Sequence, residues 1–316
     1  VTRQFINKQW LDNLGLDMPT NWDELYDVLV AFKEQDANGN GDPNDEIPFD
    51  FVPAQDTTGG ASNFHANVLL GSMGIQLSAN SPDGYLAEDG VSKNYFIVVR
   101  YTDLVIFLNK CWSAGLINAE NFTQDYSKYQ SVARGNGDNA AVGYTYGWEI
   151  TDRVGNQLAP QYEFLAPLKQ SADSTVTPTW GYDYNMLNYG VNMVVMSSKC
   201  ENKEAAMRFI NELYEPETSL QVLFGSIGPN IEKGSDGTLT ILPPEDPAMD
   251  PGTWKWTSSF ADNGPMFVSD KLNVVLPTDM QSIEKQTAPL QTALDAIDKE
   301  NDVLPRMFIK MSVEDN

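Results

Sequence analysis

Apolar residues recur at helical spacing in three segments of the chain, and each recurrence predicts a helix with one face in a core. The first helix follows Pro19, with Thr20 as its N-cap in a capping box completed by Asp23. The second begins near Thr102 and stops at Gly115, and the third begins after residue 202 and ends before residue 216. The residues expected to face inward are Leu25, Val28, Leu29, Phe32, Leu104, Val105, Leu108, Cys111, Trp112, Ala206, Phe209, Ile210 and Leu213.

Short runs rich in β-branched and aromatic residues lie between these helices and predict strands. The runs are 96–99, 140–146, 162–165 and 191–196. Alternating helices and strands are typical of an α/β architecture. The segment 225–277 is rich in Gly, Pro and Asp and predicts loops, whereas 282–299 predicts a last helix kinked at Pro289.

Length and charge narrow the class of protein. With 316 residues, 41% hydrophobic and 20% charged, the chain is long enough for two compact units with real cores. The net charge of −24 disfavours binding to nucleic acid or to anionic membrane surfaces, because a polyanion repels both. The chain has a single histidine, His65, and two distant cysteines, Cys111 and Cys200, so it has neither a zinc knuckle nor a dense disulfide framework.

An acidic loop directly after the first predicted helix resembles half of an EF-hand calcium loop. Oxygen-bearing side chains alternate along it, with Gly41 at the sixth position, so that a tight turn can offer several oxygens to a hard cation. The second half departs from an EF-hand, because its twelfth position is Ile47 and Glu46 comes one residue early. A solvated Asn/Gly turn is the alternative. The candidate ligands of a structural metal are Asp36, Asn38, Asn40, Asp42, Asp45 and Glu46.

Aromatic residues cluster on predicted loops beside Asp, Asn and His. Sugars present flat C–H faces and a rim of hydroxyls, so aromatic platforms beside polar side chains suit a carbohydrate site, although core or rim packing remains the alternative for each ring. Trp148 follows a β-prone run that ends at Gly147, a position where side chains face the crevice of an open α/β sheet. The clusters are Tyr144, Tyr146 and Trp148; Trp180, Tyr182, Asp183 and Tyr184; and Asn63, Phe64 and His65.

No motif predicts an enzyme. The G-x-S-x-G elbow, the G-x-G-x-x-G fingerprint and the P-loop are absent from the sequence, and His65 is the one imidazole. A carboxylate pair suited to glycoside hydrolysis has no sequence signature among 44 acidic residues. A glycoside-active enzyme and a carbohydrate-binding module without a transport role therefore stay as alternatives.

Five segments resemble, in the expected order, family 1 extracellular solute-binding proteins, the substrate-capturing components of ABC importers for sugars and oligosaccharides. They are 5–16, 19–25, 115–125, 141–143 and 197–210. The subgroup that the chain most resembles is the large lipoprotein type related to alginate-oligosaccharide binders, which carries a calcium loop. On that comparison the loop residues named above are calcium ligands, with Asp42 contributing its carbonyl.

The resemblance implies a two-lobed periplasmic-binding-protein-like fold of type II, truncated at both ends. Residues 1–190 would form most of the second lobe with the calcium loop, and 191–316 a crossing strand and part of the first lobe. It implies a non-enzymatic monomer that captures an oligosaccharide, delivers it to permease subunits in the membrane, and is held at the cell surface by a lipid anchor absent from this chain. By the same comparison, Trp148 stacks on sugar and residues 63–65 lie near the cleft.

Overall fold

The computed structural model describes residues 2–42, 44–52, 64–75, 85–88, 91–135, 137–180, 193–246, 249, 251–267, 271–276 and 288–292. The chain divides into two compact units. Unit 1 comprises Val1–Leu187 together with Lys285–Asn316, and unit 2 comprises Asn188–Glu284. The C-terminal part of this division differs from the predicted 191–316 segment, because Leu290 packs into the core of unit 1 with 1% of its surface exposed.

Strands and helices are interspersed along unit 1. Its strands are β1 (Arg3–Asn7), β2 (Ile47–Phe49), β3 (Tyr85–Glu88), β4 (Val91–Asn94), β5 (Val142–Gly147) and β6 (Tyr162–Phe164). Its α-helices are α1 (Lys8–Leu14), α2 (Trp22–Glu34), α3 (Val99–Ser113), α4 (Tyr126–Ala133) and α5 (Ile150–Val154). Short 3-10 helices span Ala66–Met73, Tyr95–Ile97, Ala119–Phe122 and Ala159–Gln161. The strands predicted at 140–146 and 162–165 are confirmed.

A four-stranded sheet in the order β2-β5-β1-β6 forms the centre of unit 1. β5 runs parallel to β2 and antiparallel to β1, and β1 is antiparallel to β6. Every residue of β1 and β5 is buried, as expected for central strands covered on both faces. The register places Arg3 opposite Gly147, so the N-terminal end of β1 lies beside the carboxyl end of β5.

Helix α2 confirms the predicted stripe and corrects its cap. Its four predicted core positions are all buried. The N-cap is Asn21, whose side chain accepts from the Glu24 amide at 3.1 Å. Thr20 lies one residue earlier, and both its amide and its hydroxyl donate to the Glu24 carboxylate. The predicted start was thus one residue early, because Thr20 and Asn21 are adjacent and both belong to the preferred N-cap residue types.

Helix α3 begins before its predicted start. The strand predicted at 96–99 is wrong, because the 3-10 helix Tyr95–Ile97 and the first residue of α3 lie there. Leu104, Phe107 and Cys111 form its buried face. Val105 and Trp112, predicted to be internal, are 46% and 43% exposed. They lie about 100° around the helix from Leu104 and Cys111, so the core determines which of two adjacent apolar stripes is covered.

Unit 2 contains a small sheet and three α-helices within its described residues. They are α6 (Lys203–Leu213), α7 (Pro216–Phe224), β7 (Ile231–Lys233), β8 (Leu239–Ile241), α8 (Pro251–Ser258) and β9 (Val274–Val275). The sheet order is β7-β8-β9. Its core consists of Leu220, Ile231, Leu239 and Ile241. The loop-dominated structure predicted for 225–277 is therefore wrong in part, because three short strands and α8 lie in this segment.

Helix α6 has its predicted cap but not its predicted burial. Asn202 accepts from the Ala205 amide at 3.3 Å. None of the helix residues is buried, and Phe209 is 66% exposed. The strand predicted at 191–196 is absent from residues 193–196, and 191–192 lie outside the described residues. Within the helices that the structure describes, none is long and apolar enough to cross a bilayer.

Candidate functional site

Trp148 lies just beyond the carboxyl end of β5 with 38% of its surface exposed. The guanidinium of Arg3, on the neighbouring strand, donates to the Trp148 carbonyl. The ring of Phe64 contacts the indole in a T-shaped arrangement, with centroids 4.9 Å apart and an interplanar angle of 72°. Arg3 thus holds the backbone of Trp148 and Phe64 holds its ring, while part of the indole stays open to solvent.

Phe64 belongs to an aromatic layer beneath Trp148. It is 1% exposed and stacks on Tyr126 and Tyr129, each with a centroid distance of 6.3 Å. Phe64 therefore supports the indole and has no open ring face of its own. Its predicted role as a direct sugar contact is corrected to that of a support.

His65 caps the 3-10 helix Ala66–Met73. Its Nδ1 accepts from the Asn67 amide at 3.1 Å. Burial lowers the pKa of His65 to about 4, because desolvation penalises the imidazolium. At neutral pH the ring is therefore an uncharged cap. The adjoining candidate Asn63 lies outside the described residues.

Three polar side chains on α4 and α5 form a connected network beside this aromatic layer. The Gln130 amide donates to the Tyr126 hydroxyl at 2.6 Å and to Asp152 Oδ1 at 3.2 Å. The Tyr126 hydroxyl donates to Asp152 Oδ2 at 3.4 Å. Burial raises the pKa of Tyr126, and the negative charge of Asp152 raises it further, so the phenol stays a donor. Sequence reasoning missed all three residues, although Asp152 follows Trp148 by four positions.

Two predicted platforms lie in the core. Tyr146 is fully buried and accepts from the Tyr144 hydroxyl at 3.2 Å, while its ring contacts Phe49. Trp180 is 1% exposed, and its indole nitrogen donates to the Thr2 carbonyl at 2.6 Å. Because protein covers these rings, the predicted stacking role of Tyr146 and Trp180 is corrected to one in core packing. The neighbouring candidates Tyr182, Asp183 and Tyr184 lie outside the described residues.

A buried ion pair fixes the helix that follows Trp148. Arg153 of α5 donates through Nη2 to Asp50 Oδ2 at 2.7 Å, and neither side chain is more than 2% exposed. Arg153 Nε donates to the Thr145 hydroxyl at 3.0 Å, and the guanidinium lies 3.4 Å from the centroid of the Tyr129 ring. Asp50 also accepts from the side-chain amides of Asn118 and Gln124, both at 3.0 Å. α5 is thereby attached to the end of β2 and to β5.

The acidic loop is folded around its own side-chain oxygens. Asp36 accepts from the backbone amides of Asn40 at 3.0 Å and Gly41 at 2.8 Å. The side-chain amides of Asn38 and Asn40 donate to the Asp45 carboxylate at 3.1 and 2.7 Å. The first and last parts of the loop are thus drawn together by the candidate ligands themselves.

Glu46 is the residue of this loop with an unmet polar group. It is 4% exposed, and its Oε2 atom has no hydrogen-bond partner. Burial raises the pKa of Glu46, and the charge of Asp45 adds to this effect. A buried carboxylate oxygen without a donor fits a cation, which would satisfy it. Among the described residues no three Asp, Glu, His or Cys side chains are arranged to hold a metal ion, so a cation here depends on Asn and carbonyl oxygens as well.

A pocket of about 330 Å³ lies beside the loop and away from Trp148. Its lining includes Lys33, Glu46, Trp112 and Asn118.

The two cysteines are free. Burial raises the pKa of Cys111 to about 12, so that thiol is unreactive at neutral pH.

Two curated relatives are an ABC transporter substrate-binding protein and a lipoprotein. The fructooligosaccharide ABC transporter substrate-binding protein FusA of Streptococcus pneumoniae is 31% identical over 227 residues, which cover 71% of this chain and 38% of that protein. Lipoprotein LipO of Bacillus subtilis is 27% identical over 246 residues, covering 75% of this chain and 45% of LipO. The chain thus spans less than half the length of either relative.

Solved structures share the fold over nearly the whole chain. An HMO-binding, ABC-transporter-associated solute-binding protein from Bifidobacterium longum infantis has a TM-score of 0.79 and 27% identity, covering 96% of this chain and 60% of that one. An EF-hand mutant of FusA in complex with fructo-nystose also has a TM-score of 0.79, with 25% identity and coverage of 99% and 60%. These likenesses show the α/β, two-lobed fold of solute-binding proteins.

The family model for bacterial extracellular solute-binding proteins matches residues 5–219. This range includes the last three residues of β1, the acidic loop, Trp148 and α6. Since it covers about two thirds of the 316 residues, this chain belongs to the bacterial extracellular solute-binding protein family.

Proposed function

We propose that this chain is part of the extracellular substrate-binding subunit of an ABC importer and captures an oligosaccharide on Trp148. The observation that carries the proposal is the partly open indole at the carboxyl end of β5, braced by Phe64 with centroids 4.9 Å apart. Ligands of open α/β sheets gather at this end of the strands. An indole that is held rigidly loses little entropy when a sugar ring stacks on it.

The names of the relatives narrow the oligosaccharides to be tried. FusA is named for fructooligosaccharides, and the Bifidobacterium protein for HMO. Oligosaccharides present ring faces and many hydroxyls. A net charge of −24 on this chain favours neutral over anionic ligands.

Calorimetric titration of the chain with fructooligosaccharides and other neutral oligosaccharides tests the function. Saturable binding without change of the sugar, checked by chromatography of the recovered ligand, supports capture for transport. Hydrolysis of the sugar by the pure protein overturns it in favour of a glycoside-active enzyme. The absence of binding to every sugar of the panel overturns it as well.

We propose that the acidic loop binds a structural calcium ion through Asp36, Asn38, Asn40, Asp45 and Glu46, with the carbonyl of Asp42. The partnerless Oε2 of buried Glu46 supports this assignment, as does the convergence of loop side chains on Asp45. The solved structure of an EF-hand mutant of FusA shows that this relative carries such a motif. Calcium would supply a positive centre for the loop oxygens. Titration of the calcium-free protein should show one site that prefers calcium to magnesium, and an undetectable site would refute it.

The expected partners are the permease subunits of the importer, and the expected location is the outer face of the cell membrane. The family description supports the extracellular location. The name of LipO supports attachment by lipid in the full-length protein. Partition of the native protein into detergent before and after removal of the lipid tests the anchor, and sedimentation of the chain tests the expected monomer.

A further inference from the structure

The polar network of Tyr126, Gln130 and Asp152 offers the fixed hydrogen-bonding groups that a stacking platform lacks. An indole face binds many sugar rings similarly, because every pyranose or furanose has an apolar face. Discrimination between sugars depends on fixed donors and acceptors that match one arrangement of hydroxyls and leave a buried group unpaired with another. We propose that these residues form the hydroxyl-reading rim of the site and select neutral sugars by the configuration of a vicinal hydroxyl pair. This inference rests on the proposed function.

The position of the rim supports this role. Phe64 contacts Trp148 at 4.9 Å and Tyr126 at 6.3 Å between ring centroids, so the indole and the tyrosine flank the same ring. Asp152 lies on α5, four residues after Trp148, and its carboxylate accepts from both Tyr126 and Gln130. All three side chains are partly exposed, in contrast to the fully buried Tyr129 and Arg153 below them.

The orientation of each rim group is determined by a neighbour. Arg134 donates to Gln130 Oε1 at 3.4 Å and to the Asp152 carbonyl at 3.2 Å. This contact turns the Gln130 amide so that its NH₂ group points to Tyr126 and Asp152. The backbone of α5 is attached from below by Arg153. A rim that is held before the ligand arrives can distinguish hydroxyl configurations, since a wrong hydroxyl cannot be accommodated by rotating a loose side chain.

The charge of the rim indicates the class of ligand. A carboxylate accepts hydrogen bonds and donates none, so Asp152 pairs with hydroxyl donors and opposes the carboxylate of a uronic acid. A cationic group in contact with this network, Arg134, uses its Nη2 on Gln130 and on the Asp152 carbonyl. Neutral oligosaccharides are therefore favoured over uronate-containing ones.

The alternative is that the network only fastens α4 to α5. Three variants of the chain separate the two roles: Asp152→Asn, Trp148→Ala and a control, Asp138→Asn. Asp138 also accepts from a glutamine amide, that of Gln157, but lies before β5, at the opposite end of the strand from Trp148. Affinities are measured for the best neutral oligosaccharide, for its epimer at one hydroxyl, and for a uronate-containing analogue, together with the melting temperature of each variant.

Asp152→Asn is expected to lower the affinity for the best sugar about 10-fold or more and to reduce the ratio of affinities between the two epimers. The affinity for the uronate relative to the neutral sugar should rise, and the melting temperature should change little. Trp148→Ala is expected to lower the affinity for both epimers by the same factor, so that the ratio of the two affinities is kept. Asp138→Asn is expected to change neither the affinities nor the melting temperature. If Asp152→Asn lowers the melting temperature and leaves the ratio of epimer affinities unchanged, the network does not read hydroxyls and only joins α4 to α5. Unchanged affinity in Trp148→Ala contradicts the proposed platform, and no binding by the wild type overturns both the function and this inference.

Discussion

Arg153 and Asp50 form a buried ion pair, with 2.7 Å between Nη2 and Oδ2, across 103 positions of sequence. The pair joins the helix after Trp148 to the residue that follows β2. The side-chain amides of Asn118 and Gln124 donate to Asp50, and Arg153 donates to the Thr145 hydroxyl. These hydrogen bonds complete the network, as a pair of charges removed from water requires.

Replacing Arg153 with Met should lower the free energy of unfolding by about 3–5 kcal/mol, because the Asp50 carboxylate would stay buried without its counter-charge. Urea denaturation followed by tryptophan fluorescence measures this loss. Arg208→Met is the matched control, since Arg208 pairs with Glu204 at 2.6 Å but both side chains are about 80% exposed. It should cost less than about 1 kcal/mol. Equal losses in the two variants would show that the buried pair contributes no more than a surface one.

Trp148 and Trp180 should respond differently to replacement by alanine. Trp180→Ala should cost about 3–5 kcal/mol, because a buried ring and its hydrogen bond to the Thr2 carbonyl are lost. Trp148→Ala should cost about 1–2 kcal/mol, since it mainly removes the edge contact with Phe64 from a partly exposed ring. Thermal unfolding measures both. A larger loss for Trp148 than for Trp180 would identify Trp148 as a core residue and remove the basis of the platform.

His65 should titrate with a pKa near 4 in the folded protein, and as the only histidine its imidazole signals can be followed by NMR without assignment. The unfolded chain binds a proton near pH 6.5. The stabilising contribution is therefore fully present above about pH 6.5 and is lost as the pH falls from 6.5 towards 4, by up to about 3 kcal/mol. His65→Asn, which retains a side-chain acceptor for the cap, should lose this part of the pH dependence. A folded-state pKa of 6 or above would contradict the burial of the ring.

Calcium should raise the melting temperature of the chain, and a chelator should reverse the effect. A ligand present at about 100 times its Kd and bound only by the folded state contributes about 2.7 kcal/mol. Asp36→Ala should abolish the difference between calcium and chelator, whereas Asp27→Ala, on the exposed side of α2, should retain it. Differential scanning calorimetry with and without calcium compares the variants. Identical melting of the wild type in both conditions would mean that the loop is an Asn/Gly turn closed by its own hydrogen bonds.

Patterns in the sequence alone determined the elements that depend on contacts between residues close in the chain. The stripe of α2 and the end of β5 at Gly147 both depend on neighbours within a few residues. The alternating oxygens of the acidic loop likewise form hydrogen bonds within 36–46. Such contacts can be inferred because the atoms that make them are close in the chain.

The tertiary structure alone decided which of several equivalent apolar or polar residues were covered. Tyr146 and Trp148 are two positions apart, yet β1 and Phe49 bury the first while the chain leaves the sheet before the second. Val105 and Trp112 are as apolar as Leu104, but the core meets the other side of α3. The contact between Asp152 and Tyr126 depends on α4 and α5 meeting across 26 positions. Periodicity shows that a face is apolar. Whether that face becomes buried depends on contacts with residues distant in sequence, and those contacts form only when the chain folds.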